Sequence, residues 1–145
     1  MAKWTIKLGV DELNDLMNRE FGGSSIVTGP VKEVAPGRVR VVGKFHPSML
    51  RPGELVSGPT LMSIADTAAY TLILAHVGPE LMAVTSTLTI NFLRGAKPGD
   101  IHADAELLSL GRRQAVCDVR LWTESPDRLA AQATVTYARA ASAAE

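Results

Sequence analysis

The sequence has a single cysteine, Cys117. That excludes an intrachain disulfide, a CxxC redox pair and a cysteine-built zinc site. Histidine is scarce too: His46, His76 and His102 share no metal-ligand spacing, so neither a metal nor a cofactor is expected. Charge of one sign is lacking, since 15 Lys and Arg balance 15 Asp and Glu. Nothing in that balance favours a nucleic acid or an anionic membrane as partner. Long apolar runs are absent as well. The stretch Leu61 to Val77 is broken by Asp66 and several hydroxyls and reads as too short and too polar for a membrane span. Met1-Ala2-Lys3-Trp4 leads into no apolar leader core, so the cytoplasm is the expected location. There is no GxSxG elbow, no HExxH, no phosphate-binding P-loop and no GxGxxG.

What is present suits a globular domain. The 145 residues are 46 % hydrophobic and 21 % charged, which rules out disorder for the body of the chain. One domain, 1–145, is expected, with about 140–145 a frayed tail. Val10, Leu13, Met17 and Phe21 recur at helical steps, and Gly22-Gly23 ends that helix. Ile26–Val34 and Arg38–Phe45 read as a hairpin turned by Ala35-Pro36-Gly37. His46 to Gly53 reads as a loop. A long helix is predicted from about Gly58 to His76, capped by Ser57 and stopped by Gly78-Pro79. Four strands follow, at Ala83–Leu93, Ile101–Leu110, Arg113–Thr123 and Leu129–Ala138. Helix, two strands, long helix, four strands is an α+β order with a largely antiparallel sheet. The long helix is apolar nearly all round, as a helix wrapped by a curved sheet would be.

Thr60, Ser63, Asp66, Thr67, Tyr70 and Thr71 form a polar stripe on that helix, and Asp66 is its only charge. A buried carboxylate is costly unless it is paired or hydrogen-bonded. Two readings stand side by side. Asp66 belongs to a polar seam, bonded by Ser63 and Tyr70, or it faces a pocket as base or nucleophile. The helix start offers a second element, the unpaired N–H of Gly58 at the positive end of the helix dipole. Every helix has such an end, and most bind only water. Gly58 and Asp66 lie eight residues apart, about 12 Å along the axis. One helix therefore cannot bring both to one carbon, but two antiparallel copies can. A site of this kind requires a dimer with two composite sites. Cys117 falls on the apolar side of its strand and reads as a packed thiol. Arg94 and Lys97 flank one turn and Arg112 and Arg113 another; neighbouring strands would make them a phosphate patch, and otherwise they are solvated loop charge.

The run from Val56 to Ala68 (VSGPTLMSIADTA) resembles the central-helix signature of hotdog-fold thioesterases of the phenylacetyl-CoA thioesterase-like type, which are related to the 4-hydroxybenzoyl-CoA thioesterases. Thr85–Arg94, Lys97-Pro98-Gly99-Asp100 and Gly111-Arg112-Arg113 resemble its following strands, so the likeness runs from Val56 to Trp122. The resemblance implies a central helix wrapped by a curved antiparallel sheet, a homodimer or a dimer of dimers (a homotetramer), and acyl-CoA thioester hydrolysis at the dimer interface. It implies Asp66 as the catalytic carboxylate and Gly58 as the carbonyl-polarising N–H from the other subunit. Thr85 matches a water-holding hydroxyl. Phe92, Arg94, Ala96, Arg112 and Arg113 fall on segments that contact coenzyme A. The chain departs from the family pattern at Ser57-Gly58-Pro59, where His-Gly-Gly is usual. The candidate catalytic set is thus Asp66, Gly58, Thr85 and Ser57. An acyl-CoA-binding sensor or scaffold is the alternative. A dehydratase is disfavoured, because no histidine lies beside Asp66 on the helix.

Overall fold

The computed structural model describes residues 3–21 and 30–140. Helix α1 (Val10–Phe21) turns Leu13 and Met17 inward, as its spacing predicts, and Leu16 with them, whereas Phe21 is 40 % exposed. Gly22-Gly23, residues 26–29 of the expected first strand and nearly all of the expected tail lie outside the described residues. Asn14, on the polar side of α1, pins the helix to the first strand. Its amide donates to the Val31 carbonyl and accepts from the Val31 N–H, both at 3.0 Å.

Strands β1 (Val31–Ala35) and β2 (Arg38–Gly43) form the expected hairpin. Gly37 holds its turn at φ +76°, a conformation that penalises any Cβ. The segment after it is more ordered than the expected loop. A single 3-10 turn (Pro47–Met49) leads into a two-stranded ribbon, β3 (Leu50–Arg51) with β4 (Leu55–Val56). The dense Pro and Gly punctuation marks the bends and conceals the short pairing between them.

Helix α2 spans Gly58–Val77. Ser57 is its N-cap, with Oγ accepting from the Thr60 N–H at 3.3 Å, a cap worth about 1 kcal/mol. Pro59 sits in the first turn, where its missing N–H costs nothing. Gly78, at φ +91°, closes the helix by donating to the Leu74 carbonyl. His76 ties the far end to the hairpin: its Nε2 accepts from the Gly37 N–H at 2.9 Å, so Nδ1 carries the proton given to the Leu72 carbonyl. By length and composition α2 is able to cross a bilayer, contrary to the expectation that it is too short and too polar. It starts three residues before Leu61, and Asp66 is its only Asp, Glu, Lys or Arg. Its apolar surface is instead committed to the fold, with 67 % of its most apolar window buried.

Strands β5 (Val84–Phe92), β6 (Ile101–Leu110), β7 (Gln114–Trp122) and β8 (Ala131–Ala138) match the expected four. The six-stranded antiparallel sheet runs β1-β2-β6-β7-β8-β5 and curls around α2. Its inner face carries Ala115, Cys117, Val119 and Leu121 from β7 and Ala131, Ala133, Val135 and Tyr137 from β8. This is the helix-in-sheet, hotdog arrangement that the resemblance implied. Strand β5 is an edge with one side unpaired among the described residues.

Candidate active site

Two features of the sequence bring Asp66 into contact with the sheet. The first is its place on α2, half-buried between buried Ala65 and buried Ala68. The second is a bulge in β5. Leu88, Ile90 and Phe92 stand opposite Val135, Ala133 and Ala131, so the even-numbered residues of β5 face inward. Unbroken alternation would turn Thr85 outward. The register shifts between Thr85 and Thr87, and the extra residue reverses the parity. Thr85 thereby faces inward, directly opposite Tyr137 of β8.

Both side chains end on the same atom. Thr85 Oγ1 donates to Asp66 Oδ1 at 2.6 Å, and the Tyr137 hydroxyl donates to Oδ1 at 2.7 Å. Tyr137 also lies 3.3 Å from the Asp66 carbonyl oxygen. Among the described residues nothing donates to Oδ2. Burial, and then the Asp66 charge, push the Tyr137 hydroxyl well above its ordinary value. It therefore stays protonated and is a permanent donor.

The seam reading of the sequence is corrected by this geometry. Ser63 is exposed and does not reach Asp66, and the Tyr70 hydroxyl donates to the Leu81 carbonyl at 2.9 Å instead. Burial, then the Glu20 charge, raise the Tyr70 hydroxyl too. Thr71 is fully buried, with its hydroxyl spent on the Thr67 and Ala68 carbonyls. The polar stripe thus divides into internal helix bonding and one half-buried carboxylate. That carboxylate lines an open cleft of about 380 Å³ between α1, α2, β5 and β8. Apolar walls come from Met17, Phe21, Tyr70, Leu81 and Val84. The Phe21 ring meets Tyr70 edge-on at 5.7 Å.

The first turn of α2 offers one spare donor. Thr60 N–H goes to Ser57 Oγ, Leu61 N–H to the Ser57 carbonyl, and Pro59 has none. The Gly58 N–H has no acceptor among the described residues. A Cβ on Gly58 would stand 3.2 Å from the Phe92 ring, tighter than ordinary packing allows, so the glycine lets Phe92 close over the helix start. Ser57, the fourth member of the candidate set, is committed as cap and to Thr60 Oγ1 at 2.8 Å.

The basic residues do not form one patch within the chain. Arg94 and Lys97 follow β5, whereas Arg112 and Arg113 lie in the β6–β7 turn at the other end of β6, about 30 Å away for a ten-residue strand. Lys97 pairs with Glu124 at 3.7 Å. Ala96 is buried and its carbonyl accepts from the Val56 N–H. Cys117 is buried, its thiol pushed up to about 12 by burial and by Asp118 and Asp66, as a packed thiol should be. Among the described residues no group of His, Cys, Asp or Glu could hold a metal.

The sequence reading did not single out Tyr137. A signal for it existed: on β8 it alternates with Ala131, Ala133 and Val135, so it had to point inward, and a buried tyrosine hydroxyl needs a partner.

A helix held in a curled antiparallel sheet, with one acidic side chain on its open flank, defines a hotdog protein with an acid-centred cleft. Residues 53–130 match the thioesterase superfamily, and the chain belongs to that family. It is similar to the crystal structure of a candidate thioesterase from Silicibacter sp. TM1040, with 31 % identity and a TM-score of 0.84 over 94 % of this chain and 95 % of that one. It is also similar to the Escherichia coli PaaI protein of the phenylacetic acid degradation operon, with 25 % identity and a TM-score of 0.67 over 77 % and 78 % of the two chains. A candidate esterase of Saccharolobus solfataricus is 26 % identical over 132 residues, covering 90 % of this chain and 85 % of that protein. Family membership and these relatives support a hydrolase with thioesterase activity.

Proposed function

We propose that the protein hydrolyses an acyl-CoA thioester to the free acid and coenzyme A, in sites shared between two antiparallel copies of the chain. One observation carries the reading: the single carboxylate of α2 and its single spare first-turn N–H lie on one helix, eight residues apart. That is about 12 Å, too far for both to act on one carbonyl. A two-fold axis beside β5 resolves this. Antiparallel pairing of the unpaired β5 edge with its copy sets the Thr85 end of one protomer against the Phe92 end of the other. Gly58 of the partner subunit then approaches Asp66, twice per dimer. Met82, Val84, Phe92 and Leu93, all on or beside β5, and Met62 on α2 are exposed apolar side chains that such pairing would cover. The same operation brings Arg94 of the partner subunit to the sheet end that carries Arg112 and Arg113, which suits the phosphates of coenzyme A.

In the reaction the thioester carbonyl takes the Gly58 N–H, which stabilises the oxyanion as it forms. Asp66 Oδ2 either removes a proton from the attacking water or itself attacks the carbonyl carbon, giving an anhydride that water then opens. The C–S bond breaks, and the thiolate leaves and takes up a proton. Thr85, with its hydrogen committed to Oδ1, keeps its lone pairs to accept a hydrogen bond from the water.

Thiol release from acyl-CoAs, short, long and aryl, tests the substrate class. Hydrolysis of any member is expected. Tight binding of these thioesters with no release from any of them would replace the enzyme by an acyl-CoA-binding module, with Ser57-Gly58-Pro59 as the cause.

A further inference from the structure

We infer that Tyr137 is a positioning residue for the reaction, which together with Thr85 fixes one oxygen of Asp66 so that the other is presented to the acyl carbon. The inference rests on the reading of Asp66 given above. Its basis is an asymmetry in the carboxylate. A carboxylate has about four acceptor sites on two oxygens. Here both protein donors meet on Oδ1, at 2.6 and 2.7 Å, and Oδ2 receives none among the described residues. Bonds of this length to an ionised acceptor are the strong, directional kind. Two donors arriving from adjacent strands set the side-chain torsions of Asp66 and hence the direction of Oδ2.

The two donors differ in kind. Thr85 is exposed on an edge strand that is paired on one side only among the described residues. Tyr137 is 3 % exposed, held by cross-strand pairing on both sides, to Thr85 of β5 and Ala115 of β7. Its ring packs on Tyr70 with centroids 5.9 Å apart. The Tyr70 hydroxyl is tied in turn to Leu81. Tyr137 is therefore the rigid member of the pair, and a rigid donor is what keeps a reacting atom within the fraction of an ångström that catalysis needs. A tyrosine in this place only to fill the core needs no hydroxyl, and phenylalanine would pack as well.

The test is a double-mutant cycle with Tyr137→Phe and Thr85→Val, read by turnover and by high-resolution crystal structures of all four proteins. Each single variant is expected to lose about 10- to 100-fold in kcat, with KM changed less than about twofold. The double variant should lose more than the product of the two, because the donor left in each single variant still restrains Oδ1 in part and the double variant has none. In the crystals, Asp66 should occupy one side-chain conformer in the wild type and more than one in the double variant. An Asp66 that keeps its single conformer without both hydroxyls would overturn the inference, and so would a Tyr137→Phe enzyme with wild-type kcat. The structural arm stands whether or not the wild type cleaves acyl-CoA, so failure of the substrate assignment and failure of the clamp are told apart.

Discussion

Replacing Asp66 separates position from chemistry. In Asp66→Asn the shape is kept. Both neighbours donate, so the amide oxygen takes the place of Oδ1, bonded to Thr85 and Tyr137, and the NH2 falls where Oδ2 was. The amide neither takes a proton from water nor attacks a thioester. Loss of a general base alone costs about 100- to 10,000-fold. The fold loses little: two hydrogen bonds to a charged acceptor become bonds to a neutral one, about 1 kcal/mol each. For a chain of this length that lowers Tm by about 4–8 °C. Asp66→Glu makes the opposite change. It keeps the carboxylate but adds a methylene, so the reacting oxygen moves by about 1 Å and one or both bonds to Oδ1 break. A displacement of that size costs about 100-fold. The assay is thiol release by purified variants whose dimer content and Tm are measured alongside. Asn at background and Glu down about 100-fold, both folded, is the expected result. An Asp66→Asn enzyme with a tenth or more of wild-type turnover would refute the role of the carboxylate, and a fully active Asp66→Glu would refute the argument from position.

Gly58→Pro removes the one free N–H of the first turn and should cost about 100- to 1,000-fold in turnover. Ser57 already has the ψ of 151° that a following proline requires, and the exposed Phe92 ring, 3.2 Å from a Cβ at residue 58, must shift to admit the new side chain; circular dichroism should show unchanged helix content. Cys117 should resist alkylation by iodoacetamide between pH 7 and 9 in the native protein and react fully in denaturant, since burial pushes its thiol up to about 12. Fast native labelling would contradict its packing. Gly37→Ala should destabilise by about 1–3 kcal/mol, read as a lower denaturation midpoint. Residue 37 sits at φ +76°, and the new Cβ would lie 2.5 Å from Trp4 Cδ1.

The sequence carried the elements better than it carried the site. Both long helices, the β1–β2 hairpin and the last four strands follow from apolar spacing and from glycine and proline at their ends, because those signals are local. Asp66 was legible as the one charge on an apolar helix, and Gly58 as the start of that helix. The partners of Asp66 were not legible, because they depend on cross-strand register. Ser63 and Tyr70 were nearer in sequence, yet the bulge at Ser86 and the pairing of Thr85 with Tyr137 decide which hydroxyls arrive. The β3–β4 ribbon is two residues a side, too short to leave a period. Whether the two basic turns lie together was open in the sequence, because it depends on strand order, and the full length of β6 holds them apart.

The shared site is tested most directly by subunit mixing. Asp66→Asn and Gly58→Pro proteins, each inactive alone, are unfolded together, refolded and assayed for thiol release. In a mixed dimer one site combines the intact Asp66 of one chain with the intact Gly58 of the other. Random pairing makes half the dimers mixed, each with one working site, so about a quarter of wild-type activity should return. No recovery, with mixed dimers demonstrated by differential tagging, would contradict a site built from two chains.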